Sequence, residues 1–315
     1  MSLKGGELLV GRGEKTFLKE PHPDKPSWYS PDYFLRASHP WFTHETTEVV
    51  AELPKSAKTE LKVGGLSSFK AMFEDMKLTK GVVYTSATCE NFDWKSVIAH
   101  LCESARHLYL YGTEGIIGAT PELLFDMESD RVVSMALAAT ALDPATLKQD
   151  KEQEEHALVV TGMKESLEKL GRVCSLPQET LSYGKLYHLL TPLILEEKFP
   201  LNHFEKVVAA LHPTPALGAY PRQEGSAWLQ KWGEKIPRYK FGAPFGYLFP
   251  ERKEARAFVA IRCVQWTDKQ AHLWAGAGVT AKSSYESEYA EIQHKILNTA
   301  RLMGHTGIPV KKIQR

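Results

Sequence analysis

The feature that most constrains this chain is the order in which its extended and helical signals arrive. Strand-like runs come in consecutive groups, at residues 81–85, 107–111, 115–125 and 131–139, and again at 243–249, 257–264 and 272–279. The turn signal Met127-Glu128-Ser129-Asp130 predicts that 115–125 and 131–139 pair as an antiparallel hairpin. Helical spacing is grouped between and after these runs. Leu147, Leu158, Val159, Met163, Leu167 and Leu170 share a helical pattern over 145–170, and Gly171 is a natural C-cap. Further helices are predicted near 67–77, 179–196 and 202–211. A last one starts at Ser283 or Ser284, good N-cap residues, and runs to about Met303. A doubly wound parallel sheet requires strands and helices to alternate. Grouped signals instead predict an α+β fold of antiparallel sheets with grouped helices.

Pro21, Pro23, Pro26, Pro31 and Pro40 interrupt the start of the chain, so residues 1–64 are expected to be an irregular region without long helices. The main domain is expected over 65–304, followed by a polar, basic tail at 305–315 that frays. A composition of 43% hydrophobic and 24% charged residues, with 13 Phe, 12 Tyr and 7 Trp, is that of a folded globular chain. Lys and Arg number 39 against 38 Asp and Glu, which gives no electrostatic reason for a nucleic-acid or anionic-membrane partner. No apolar run approaches the roughly 20 residues of a membrane helix, and the N-terminus lacks a signal-peptide pattern. Cys89, Cys102, Cys174 and Cys263 form no CxxC pair, which fits a reducing cytoplasm. His39 and His44 read as loop residues, and no histidine stands in an HExxH or zinc-finger spacing.

Three constellations carry chemistry. On the last helix Glu288, Glu291 and Lys295 fall within an arc of roughly 60°, at 100° per residue. Glu152, Glu155 and His156 are grouped in the same way before the apolar run Ala157-Leu158-Val159-Val160. In isolation either set reads as a solvated charged stripe; if the two helices meet, their carboxylates suit a hard cation such as Mg2+. Gly276 and Gly278, in Trp274-Ala275-Gly276-Ala277-Gly278-Val279, would let a ligand approach the backbone closely. The stretch from Gly276 to Ser283 nearly matches a phosphate loop, but Ala281 replaces its second glycine, and Glu286 and Glu288 would repel a polyphosphate.

Six segments, in order, resemble the chorismate-utilising enzymes and are closest to their isochorismate synthase branch. They are GIIGATPELL from Gly115, Glu155-His156 in DKEQEEHALVV, Tyr187-His188-Leu189, LHPTPALGAYPR from Leu211, FVAIR from Phe258, and the AGAG segment with its following helix. The resemblance spans about residues 65–303 and marks the chain as shortened at its N-terminus. It implies a chorismate-binding fold, a Mg2+-dependent isomerase that converts chorismate to isochorismate, and a place in menaquinone or siderophore biosynthesis. Glu155 and Glu291 would hold the metal, with Glu152 and Glu288 in or near it. Thr140, Arg262, Lys295 and the backbone of Gly276 and Gly278 would bind substrate, and His188 would sit beside the ring. No amidotransferase subunit is expected, because the HPTP segment belongs to the isochorismate branch.

The resemblance also carries departures. Aligned on Val82-Val83, the family's catalytic lysine falls on Gly81, and Lys80 is expected to face away from the cleft. The family's EALAGT falls on Met135-Ala136-Leu137-Ala138-Ala139-Thr140, which puts methionine at the expected acid and Ala139 in place of glycine. Its ring-facing tyrosine falls on Phe241. Two readings therefore stand. One is an active isomerase using Lys80 or water as the base; the other is a degenerate protein that binds a related carboxylate without reaction.

Overall fold

The computed structural model describes residues 1–3, 7–51, 59–105, 107–129, 131–183 and 186–306. The expected tail beyond Thr306 lies outside them. Three strands open the chain: β1 (Leu8–Leu18), β2 (Ser27–Tyr29) and β3 (Trp41–Val50). Then come β4 (Lys62–Leu66), α1 (Lys70–Glu74), β5 (Lys80–Glu90), α2 (Trp94–Ser104), β6 (Tyr109–Thr113) and β7 (Ile116–Thr120). The middle holds β8 (Leu123–Glu128), β9 (Arg131–Ala141), α3 (Asp150–Leu167), β10 (Val173–Ser175), β11 (Glu179–Tyr183) and β12 (Leu186–Leu195). Next are α4 (Phe204–Leu211), β13 (Ala219–Tyr220) and α5 (Arg222–Lys235). The chain finishes with β14 (Pro244–Phe249), β15 (Glu254–Val259), β16 (Cys263–Trp266), β17 (Ala271–Thr280) and α6 (Tyr285–Leu302).

Every described strand pair is antiparallel, in two sheets. The larger runs β1-β3-β2-β14-β15-β8-β9-β12-β10, with β11 also on β12. The smaller runs β13-β5-β17-β16-β7-β6, with β4 also on β5. The α+β expectation holds. Its hairpin forms as β8–β9, closed by the pairing of Glu128 with Arg131. The run 115–125 is split, because β7 belongs to the small sheet and β8 to the large one.

Two expectations fail. Residues 1–64 are not irregular. Prolines exclude helices but not strands, and β2 joins the large sheet by pairing with β14. Aromatic packing fixes it there: Tyr29 lies against Trp41 at 4.8 Å, and both touch Phe204 of α4. Nor is 179–196 helical. Pro192 cannot sit in a helix interior, and β12 pairs along its length with β9. Pro192 falls in the gap between the positions of β12 taken by β11 and those taken by β10. Helices α2 and α5 are additional to those the spacing predicts.

The two long helices carry apolar seams that turn polar at one end. In α3 the buried set includes Glu152, His156, Val159, Met163 and Leu167; in α6 it includes Glu288, Ile292, Ile296 and Ala300. Ser284 caps α6 by accepting from Ser287 N–H. The seams bury α3 against β9 and α6 against β17, and their acidic ends arrive together beside the cleft between the sheets.

Candidate active site

A cleft holding about 720 Å3 of empty space, its mouth included, lies between the sheets. Leu137, Ala138, Ala139 and Thr140 of β9 and His188 of β12 reach it from the large sheet. Val82 of β5 and Trp274, Gly276 and Gly278 of β17 reach it from the small one. Glu155 enters from α3, Glu291 and Lys295 from α6, and Arg262 from the β15–β16 link. Eight of the residues given a metal, substrate or ring-side role in the sequence, Thr140, Glu155, His188, Arg262, Gly276, Gly278, Glu291 and Lys295, thus line one cleft. Glu152 and Glu288 are buried beside it: Glu155 and Glu291 both act on Glu152, and Glu291 acts on Glu288.

The carboxylates are crowded. Burial and the nearby Glu291 push the Glu288 carboxyl up to about 7, and burial with Glu155 raises Glu152. Lysines meet part of this charge, with Lys295 2.6 Å from Glu291, Lys151 3.3 Å from Glu288 and Lys80 3.3 Å from Glu155. One buried oxygen of Glu288, Oε2, finds no partner among the described residues. No three His, Cys, Asp or Glu side chains converge among the described residues as a closed metal shell. Mg2+ needs no such shell, since it is commonly held by one or two carboxylates and keeps its waters. Four crowded carboxylates, one with an unpartnered oxygen, fit that cation chemically.

Lys80 overturns its expectation. Its side chain is 1% exposed, and Nζ donates to the Pro215 carbonyl at 2.9 Å beside Glu155. A Cβ placed on Gly278 would lie 2.8 Å from that Nζ and 2.4 Å from Glu155 Oε1, so the glycine leaves room for this ion pair. Strand alternation was the right rule, applied from the wrong residue. Lys80 and Val82 share the cleft side of β5, whereas Gly81 faces Met76 and Trp228. A side chain at position 81 would therefore turn from the cleft. Met135 pairs with Pro192 and is not among the cleft residues.

A buried carboxyl that does reach the cleft is Glu122, between β7 and β8, where the chain crosses from one sheet to the other. It lines the cleft and is 4% exposed. Burial pushes it up to about 8, against the opposing pull of the Lys80 and Lys295 charges. At neutral pH it holds a proton. Sequence reasoning quoted Glu122 within GATPELL but gave it no role; its position next to Pro121 at a sheet-to-sheet crossing was the available signal.

On the large sheet the β9–β12 register shifts at His188/Leu189, leaving Ala139 as the extra residue at φ +56°. Glycine suits that conformation, and alanine holds it at a cost of about 1 kcal/mol or more. Beyond the bulge, Thr140 Oγ1 meets His188 Nδ1 at 3.1 Å. Burial, with the charges of Arg262 and Lys295, pushes His188 down to about 3, so it is neutral. Arg262 is itself at φ +53°, a second constrained backbone position on the cleft. Lys295 Nζ donates to the Gly276 carbonyl at 2.9 Å, tying α6 to β17.

The chain is similar to several proteins of known kind. The isochorismate synthase EntC of Escherichia coli K12 is 30% identical over 202 residues, covering 60% of this chain and 51% of that protein. The chain spans about half the length of the curated relatives it matches. Among solved structures, the menaquinone-specific isochorismate synthase MenF of Escherichia coli aligns with a TM-score of 0.75 at 18% identity, over 96% of this chain and 87% of that one. Anthranilate synthase component I of Streptococcus pneumoniae aligns with a TM-score of 0.73 at 15% identity, over 96% and 93%. These two likenesses carry the fold. A sequence model of the family described as chorismate binding enzyme matches residues 77–304, a span that contains every cleft residue named above. The chain belongs to the chorismate-binding enzyme family.

Proposed function

We propose that this chain isomerises chorismate to isochorismate, with Lys80 as base and Glu122 as acid. The observation that carries the reading is that pairing: the protonated Glu122 lines the cleft, and the buried Lys80 adjoins it beside Glu155. Lys80 takes a proton from a water whose oxygen bonds to C2 of the ring. The ring double bonds shift, the C4–oxygen bond breaks, and the Glu122 proton leaves with the hydroxyl as water. Returning a proton from Lys80 to Glu122 through solvent closes the cycle, with no net change beyond the isomerisation. Arg262 and Lys295 offset the charge of the dianion, and neutral His188, oriented by Thr140, faces the ring. Glu155 and Glu291 would hold Mg2+, with Glu152 and Glu288 beside it; when bound, the ion neutralises substrate carboxylate charge.

The degenerate reading rested on Gly81 and Met135; Lys80 and Glu122 supply a base and an acid for the active reading without either position. No nitrogen donor or amidotransferase subunit enters the proposed reaction, and the scattered free cysteines suit a cytoplasmic setting. The test is incubation with chorismate and Mg2+, followed by chromatographic separation of isochorismate, salicylate, anthranilate and pyruvate. Isochorismate as the main product is expected. Chorismate left unchanged, or anthranilate formed when ammonia is added, would overturn the assignment.

A further inference from the structure

Trp274 lines the cleft from β17, on the same strand face as Gly276 and Gly278, and is 6% exposed. Its ring stacks on Phe241 at 5.9 Å and 25°. The indole N–H is buried and finds no acceptor among the described residues. A buried donor without a partner is costly in an ordinary core, so one on a ligand cleft calls for an acceptor that arrives with the ligand. The neighbourhood indicates which acceptor. Gly242, next to Phe241, donates its N–H to the Ala260 carbonyl, so the Phe241–Trp274 stack lies alongside the segment that leads into Arg262. Phe241 lacks the hydroxyl that a tyrosine would offer at this position, which leaves Trp274 as the donor on this aromatic wall.

We propose that the Trp274 indole N–H is a further substrate-binding group, donating a hydrogen bond to the same chorismate carboxylate that Arg262 grips. This rests on reading the cleft as a chorismate site.

The test combines kinetics with a direct view of the N–H. In Trp274→Phe, which keeps the stack and removes the donor, KM for chorismate should rise about tenfold while kcat stays within about twofold and Tm is unchanged. In the unmodified protein labelled with 15N at indole nitrogens, one resonance is absent from the Trp274→Phe spectrum, or from that of Trp274→Tyr should the first variant fold poorly. That resonance should move downfield when chorismate and Mg2+ are added, the equilibrated mixture of substrate and product keeping the cleft occupied. Turnover with an unmoved Trp274 resonance, or with an unchanged KM in the variant, would overturn this role and leave the proposed function intact. If chorismate is neither bound nor converted, and no resonance moves, both fall together.

Discussion

The cleft between the sheets contrasts with a second cavity bounded by β1, α2 and the β6–β7 hairpin. The second is larger, with about 1330 Å3 of empty space against 720 Å3. It is walled largely by apolar and aromatic side chains, among them Trp28, Trp94, Tyr111 and Trp266. Its ion pair, Lys15 with Glu114 at 3.6 Å, is at the rim, where Glu114 is 89% exposed. The cleft gathers Glu122, Glu155, Glu291, Lys295, Arg262 and His188 into a smaller space, with Lys80 adjoining. Size alone would select the wrong cavity. What distinguishes the cleft is that burial holds Glu122 protonated against the pull of Lys80 and Lys295, and that burial with the charges of Arg262 and Lys295 holds His188 neutral.

The contrast breaks first at Glu122. Glu122→Gln should lower kcat by about 10³-fold or more, in the upper part of the range for a general acid, with chorismate still bound by calorimetry. Activity near the unmodified level would remove the acid from the cleft. Next is Lys80→Met, expected to cost about 10²–10⁴ in kcat. By contrast, Gly81→Lys combined with Met135→Glu should give no gain, since residue 81 faces Met76 and Trp228. A faster double variant would restore the discarded alignment.

Acidity sharpens the comparison further. Because the Glu122 pKa is raised from 4.5 to about 8, the folded chain holds a proton there that the unfolded chain releases. Its contribution to stability is therefore fully present below about pH 4.5, declines as pH rises, and levels off above about 8. Thermal unfolding of Glu122→Gln against the unmodified chain should show a Tm advantage for the variant that grows from pH 5 to pH 8. A constant difference would contradict the raised pKa. The kcat/KM profile should likewise fall above about pH 8.

For the cation, Glu291→Gln should weaken Mg2+-dependent thermal stabilisation several-fold, and Glu128→Gln, on an exposed strand end, should leave it unchanged. Equal responses would dissociate Glu291 from the metal. The smallest effect belongs to the larger cavity, where Glu114→Gln should change stability by less than about 0.5 kcal/mol and leave turnover unaltered. A marked loss of activity would mean that the two cavities are not independent.

Much of the site was legible because helices advertise their faces. Glu152, Glu155 and His156, and Glu288, Glu291 and Lys295, were placed correctly by a period of 3.6, since local backbone geometry alone puts such residues on one side. The N-cap at Ser284 and the β8–β9 turn were equally local signals. The helix expected over 179–196 failed because apolar residues on both faces of a strand buried within a sheet carry no period to read, although Pro192 argued against it.

Strand faces were the harder problem. Alternation says only that Lys80 and Gly81 point opposite ways, and which of them meets the cleft depends on what packs on each side of β5. That choice was made by Trp228 and Met76 on one face and by Glu155 and Pro215 on the other, partners up to 147 residues away in sequence. The Glu122 proton is decided in the same way. Nothing adjacent in sequence makes its carboxyl a proton donor; burial between two sheets does, by making the charged form costly even with Lys80 and Lys295 near. The sequence by itself determined which residue types were available, the helical faces and the antiparallel class, because these follow from short-range geometry. Only the tertiary structure decided which strand face is the cleft and which carboxyl keeps its proton, because both depend on desolvation and on charges brought together from distant parts of the chain.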